Sequence, residues 1–163
     1  MCIRDSTAAR GRAIPKDEEG NLRPIAVGSV LLRFVASLAL GLSHKETDAY
    51  FLGAHAKAKQ FGIGVASGCN LMAAAIESHL RQNPTHIAIG ADSRNAFNSY
   101  DRGVMWPLVR THFPHLESLL RLMYGTSASI FVPTDSSPAT ISNEVGSRQG
   151  CSWGSFLYCM ALQ

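Results

Sequence analysis

The stretch IAIGADSRNAFNSYD, Ile87 to Asp101, decides how the rest of the chain is read. Isoleucines and alanines lead to a single aspartate, Asp92; a polar turn follows, and then one aromatic residue, Phe97. An apolar run bounded by turn residues predicts a buried strand over THIAIGAD (residues 85–92), with the Asp92 carboxylate delivered to its end. Two readings fit that carboxylate. An aspartate after a strand commonly caps the next helix, and a phenylalanine five residues later commonly joins a core. Nucleotide addition makes a different use of the same residues. Two Mg²⁺ ions clamp the attacking and leaving oxygens, and Mg²⁺ needs only one or two rigidly held carboxylates beside substrate phosphates. Ser93, Asn95 and Ala96 would then turn beneath a triphosphate with backbone N–H groups facing it. Phe97 would lie under the sugar, where its ring collides with a 2′-hydroxyl.

Outward from this stretch, helices and antiparallel strands mix without βαβ regularity, which predicts an α+β fold. AIPKDEEGNLRPIAV reads as a hairpin around an acidic, glycine-containing turn, and SASIFV and ATISNEV as a second hairpin around PTDSSP. Val30 to Leu42 reads as a core helix, Lys45 to Lys59 as helical or irregular, and Gly62, Gly64 and Gly68 as a flexible loop. CNLMAAAIESHLRQ is an amphipathic helix ended by Asn83-Pro84. Helices are expected over Gly103 to Thr111 and His115 to Tyr124, split by Pro114. GSRQGCSWGSFLYCMALQ reads as a glycine-rich turn entering a last helix, which stops mid-pattern with no cap and suggests a truncated chain.

The whole is 163 residues, 46% hydrophobic, with net charge +3, which suits one domain and permits a polyanionic partner without demanding one. No apolar run reaches the roughly 18 residues that span a bilayer, and no signal peptide is evident. The opening MCIRDS resembles translated sequencing adapter, so residues 1–6 are set aside from the fold. Four cysteines, Cys2, Cys69, Cys151 and Cys159, lack metal spacing and read as reduced, mostly buried thiols, the last two on one helix.

Several segments together resemble the reverse transcriptase domain of non-LTR retrotransposons and group II introns. ADSRNAFNSYDR is similar to the family's motif A, which implies Asp92 as the catalytic, metal-binding aspartate and Phe97 as the steric gate. GSRQGCSWGSFLY is similar to motif B, G-x-x-Q-G, and implies nucleotide contacts from Gln149 and Gly150. IPKDEEGNLRPIAV resembles the fingers hairpin, with Lys16 and Arg23 gripping the triphosphate, and QFGIGVASG resembles the loop that tracks the template. These segments occur in the family's order over residues 13 to 163. The resemblance implies a partial right-hand polymerase fold, fingers over about 13–84 and palm over 85–163. It further implies an RNA-directed DNA polymerase with two Mg²⁺ ions, an RNA template, a DNA primer and deoxynucleoside triphosphates. With it go the expectations of no membrane partner and an intracellular location, nuclear for a eukaryotic element, rather than a secreted one.

Some residues depart from the pattern. Cys151-Ser152 stands where motif B often continues Asp-Pro, Ser93 where a bulkier residue is common, and the template loop lacks an arginine. Motif C, with its aspartate pair, would follow motif B, and the chain ends first; the 163 residues alone are not expected to polymerise. A viral RNA-dependent RNA polymerase shares the palm but usually has a small or acidic residue at the Phe97 position, and a non-catalytic palm remnant that only holds nucleic acid is the other alternative.

Among the remaining candidates, Lys16 and Arg23 have surface ion pairs with Asp17, Glu18 and Glu19 as their alternative role. Arg94, Arg102 and Arg148 are expected on solvated surface or against backbone phosphates, Asp101 as a helix cap, and His112 and His115 as loop residues.

Overall fold

A computed structural model describes residues 8–15, 18, 20, 22–53, 59–134, 137 and 139–163. Lys16 and the adapter-like residues 1–6 lie outside them. In chain order the elements are β1 (Ala9–Pro15), β2 (Leu22–Gly28), α1 (Val30–Leu42), α2 (His44–Leu52), α3 (Gly68–Gln82), the single turn α4 (Ala96–Ser99), α5 (Arg102–His112), a 3₁₀ turn (Pro114–Leu116), α6 (Glu117–Tyr124), β3 (Ala128–Val132), β4 (Ala139–Asn143) and α7 (Gly154–Ala161). The fold is α+β, with one mixed sheet.

Both expected hairpins form, and they lie side by side. The sheet order is β2-β1-β3-β4, antiparallel within each hairpin. Between the hairpins, β1 pairs with β3 in parallel, Ala9 opposite Ile130 and Arg10 opposite Phe131. The first hairpin is thereby held by residues from the second half of the chain.

The hydrophobic core is built by the helices. α7 reads GSFLYCMA, apolar on nearly every side, and such a helix must be covered all round. Trp153, Phe156, Leu157 and Met160 are fully buried. The Phe156 ring meets Phe113 edge-on at 5.0 Å and Phe51 at 5.9 Å, the offset geometry that aromatic pairs prefer. Met105 and Val109 of α5 and Leu120 and Met123 of α6 close the other sides. α5 begins as anticipated: the Asp101 carboxylate accepts from the Gly103 N–H at 2.7 Å. α5 also carries Pro107 in its interior without ending there.

Three expectations are corrected. First, residues 85–92 form no strand, and Ile87 and Ile89 are 80% and 86% exposed. A strand is held by its ladder, and no described strand runs alongside this segment. Second, α1 is a helix but not a core helix. Only Ala36 is buried; Leu31 and Phe34 are 69% and 65% exposed. Its attachment is one line of contacts, in which the Trp153 indole N–H donates to the Ala36 carbonyl and the Ser37 hydroxyl to Ser152 at 2.8 Å. Third, Cys151 precedes α7 and Cys69 is exposed, leaving Cys159 as the buried thiol on that helix, where burial pushes its pKa up to about 11.

Two substitutions separate the real core from the exposed apolar face. Leu120→Ala is expected to destabilise by about 2–5 kcal/mol and Phe34→Ala by about 0.5 kcal/mol or less, both read by denaturant unfolding. Equal losses would place α1 in the core after all.

Candidate functional site

Three of the four segments singled out in the sequence converge on the turn 146–150. The Ser147 N–H donates to the Phe97 carbonyl at 2.6 Å and the Gly146 N–H to the Tyr100 carbonyl at 2.8 Å. On the other side, the Ala26 N–H of β2 donates to the Gln149 carbonyl at 2.8 Å. The turn therefore ties the helix turn α4 to the first hairpin.

The two glycines of GSRQG have separate reasons to be there. Gly146 has φ +59, and a Cβ would come within 2.5 Å of the Phe97 carbonyl oxygen. Gly150 has φ +114, and a Cβ would sit 3.3 Å from the Ala26 oxygen. Each needs a conformation that other residues rarely adopt, and Gly146 also needs the missing side chain.

Beside this turn lies a cleft of about 350 Å³ between the sheet and residues 142–149. Gln149, Asn98, Arg12, Ile25 and Ile130 are among its walls, a mixture of apolar surface and a few polar groups that suits a small organic ligand. Of the nucleotide-contacting residues inferred from the resemblance, Gln149 lines the cleft; Gly150 packs directly behind it on Ala26. Arg12, which sequence reasoning passed over, is the cation on its β1 wall. Its neighbour across the hairpin is Ile25, a register visible only once the strands are paired.

The motif A-like residues are placed differently. Asp92 and Ser93 are exposed on irregular backbone. Asn95 adopts φ +51 and opens α4, followed by Ala96 and Phe97. The half-buried Phe97 ring meets Tyr158 of α7 edge-on at 5.7 Å. Arg23 is exposed on β2 opposite Ile14.

Arg94 is exposed, as expected, but Arg102 and Arg148 overturn their reading as solvated surface or phosphate contacts. Arg102 is buried, and its guanidinium donates to the carbonyls of Gly146 at 2.7 Å, Asn143 at 3.2 Å, and Tyr124 and Val145 at 3.3 Å, and to the Asn143 side chain. Arg148 is buried too, and the two guanidiniums stand 5.1 and 5.3 Å from the Tyr124 ring centre. Burial holds the Arg102 pKa below its ordinary value, with Tyr100 and Tyr124 opposing. Burial likewise pushes the Tyr100 phenol up to about 12, against Ser147 and Arg102, and raises that of Tyr124. Arg102 holds the cleft's turn in place through the Gly146 carbonyl, and Arg148, within the turn, lines the cleft.

The histidines set aside earlier have structural partners: His112 packs on Tyr50 at 4.6 Å, and His115 Nε2 lies 2.9 Å from the Ser43 hydroxyl. A pair that the sequence did not suggest is His79 and His86, with ring nitrogens 2.9 Å apart. Among the described residues, no three His, Cys, Asp or Glu side chains are placed to hold a metal ion, so Asp92 alone does not make a two-metal site. No described helix is long and apolar enough to cross a membrane. No protein-family model matches this chain, and no curated protein or solved structure matches it.

Gly146→Ala is expected to lose about 1–2 kcal/mol from the backbone conformation alone, and more from overlap with Phe97. Gly62→Ala, where the added methyl meets open space, serves as the control in the same denaturant titration. A second expectation concerns alkaline pH. Folding favours the neutral phenols of Tyr100 and Tyr124, so their contribution is complete below about pH 10 and is lost as pH rises towards 12. Melts between those values should show falling stability, less steep in Tyr100→Phe; an identical slope in the variant would remove Tyr100 from the account.

Proposed function

We propose that this chain is the nucleotide-binding part of an RNA-directed DNA polymerase, with a fingers-like first portion and a palm-like second portion. The observation that carries the reading is the convergence of the fingers-like strand β2, the motif A-like turn α4 and the motif B-like turn 146–150 at one cleft, through Ala26 to Gln149 and Ser147 to Phe97. Those segments lie far apart in the sequence, and one bound nucleotide has to touch all of them.

On this reading Gln149 contacts the nucleotide from the cleft wall, with Gly150 shaping the turn behind it. Arg23 and Lys16 meet the triphosphate, Arg through its planar fork and Lys as a point charge. Ser93, Asn95 and Ala96 offer backbone donors, and Phe97 selects the deoxyribose. RNA template and DNA primer are the partners, and the setting is intracellular. Asp92 would contact Mg²⁺, but one exposed carboxylate does not fix two ions. The chain's own residues are therefore assigned binding and selection of the nucleotide, and not phosphoryl transfer. The lone carboxylate also favours a second reading, a palm-fold remnant that binds nucleic acid without catalysis.

Nucleotide titration tests the proposal. The 163-residue protein should bind dATP saturably in the presence of Mg²⁺ and bind ATP more weakly. Arg23→Ala or Gln149→Ala should each remove a hydrogen bond to the ligand, worth about 1.5–3 kcal/mol for a charged group, and so weaken binding by roughly tenfold or more without lowering the melting temperature. Phe97→Ala should narrow the gap between dATP and ATP. No binding, or an unchanged preference with lost stability, would overturn the assignment; single-stranded RNA bound without dATP would favour the remnant.

A further inference from the structure

His79 lies in the last turn of α3, and His86 follows the turn that ends it. His79 Nε2 and His86 Nδ1 are 2.9 Å apart, with the ring centres 5.1 Å apart and the rings tilted by 41°. The backbone holding them is tightly cross-linked. The Asn83 N–H and side-chain amide both donate to the His79 carbonyl, at 3.0 and 2.9 Å, and the His86 N–H donates to the Asn83 carbonyl at 2.9 Å. Pro84 fixes one further backbone torsion inside that turn. Both rings are exposed.

We infer that His79 and His86 form a two-imidazole site for one late first-row divalent ion: Zn²⁺, Ni²⁺ or Cu²⁺. Two facing imidazole nitrogens cannot both carry a hydrogen toward each other, so at least one presents a lone pair. When the donor ring carries its hydrogen on its other nitrogen instead, both lone pairs are free to bind one ion. Metal–nitrogen bonds of about 2.0–2.1 Å put two adjacent ligands roughly 3 Å apart, close to the spacing found. Rotation of the exposed rings turns both lone pairs to a common ion while the turn stays fixed. That preorganisation lowers the entropy lost on binding.

The electrostatic setting also favours a cation. The ion would lie at the C-terminal end of a 15-residue helix, where the last carbonyls carry partial negative charge. The nearest cation on the same helix, Arg81, donates to Glu77 at 2.6 Å, so its charge is balanced locally. Imidazole nitrogen selects the late transition ions and suits neither Mg²⁺ nor Ca²⁺. Among the described residues no third side chain completes the set, so water or a donor from another molecule fills the remaining positions.

Calorimetric titration of the tag-free protein with Ni²⁺ and with Zn²⁺ tests the site. One ion per chain is expected, with affinity about tenfold or more weaker in His79→Ala and in His86→Ala, and unchanged in the exposed-histidine control His44→Ala. Substoichiometric Cu²⁺ added to the unsubstituted protein should broaden the imidazole proton signals of His79 and His86 ahead of the other histidines. The proposal is overturned by no measurable Ni²⁺ binding, by both single variants retaining full affinity, or by broadening spread evenly over all the histidines.

Discussion

A guanidinium taken out of water has to be met by something, and Arg102 is met by carbonyls. The carbonyls of Asn143, Val145 and Gly146 come from the end of β4 and the glycine turn, and that of Tyr124 from the end of α6. A buried charge of this kind is expensive unless every donor finds a partner. Satisfying it gathers three chain segments around one planar group. The turn 146–150 inherits its position from that arrangement, and the turn in turn fixes α4 through Ser147 and β2 through Gln149. Arg148 lies against the same Tyr124 ring and lines the cleft.

What could be read from the sequence was whatever is decided locally. The two hairpins declared themselves through glycine and proline at their turns, and the last helix through its unbroken apolar content. Asp101 announced a helix start because capping needs only the next two residues. The glycines of GSRQG were legible as a turn, but their requirement for close approach to Phe97 and Ala26 was not, since those neighbours come from elsewhere in the chain.

The misreadings share one cause. Arg102 and Arg148 look like surface residues in the sequence because arginine usually is, and only the Tyr124 ring, with the carbonyls around Arg102, makes them interior. Ile87 and Ile89 have the composition of a buried strand without a described strand to pair with. Leu31 and Phe34 have that of a core helix with cover along one line only. Periodicity reports what a segment would gain by burial; whether a partner exists is a property of the rest of the chain. His79 and His86 escaped notice for the same reason, because seven residues and a helix end separate them in sequence.

The parallel pairing of β1 with β3 bears on the order in which the molecule can assemble. Ala9 cannot meet Ile130 until nearly the whole chain between them exists, and closing so long a loop carries an entropy penalty that only later contacts repay. The first hairpin is marginal by itself, as isolated two-stranded ribbons are. It gains its neighbour only when β3 arrives, and α1 its anchor only when Trp153 does. During synthesis on the ribosome, the first hairpin and α1 therefore wait with apolar surface uncovered until β3 and the Trp153 that leads into α7 arrive to fasten them.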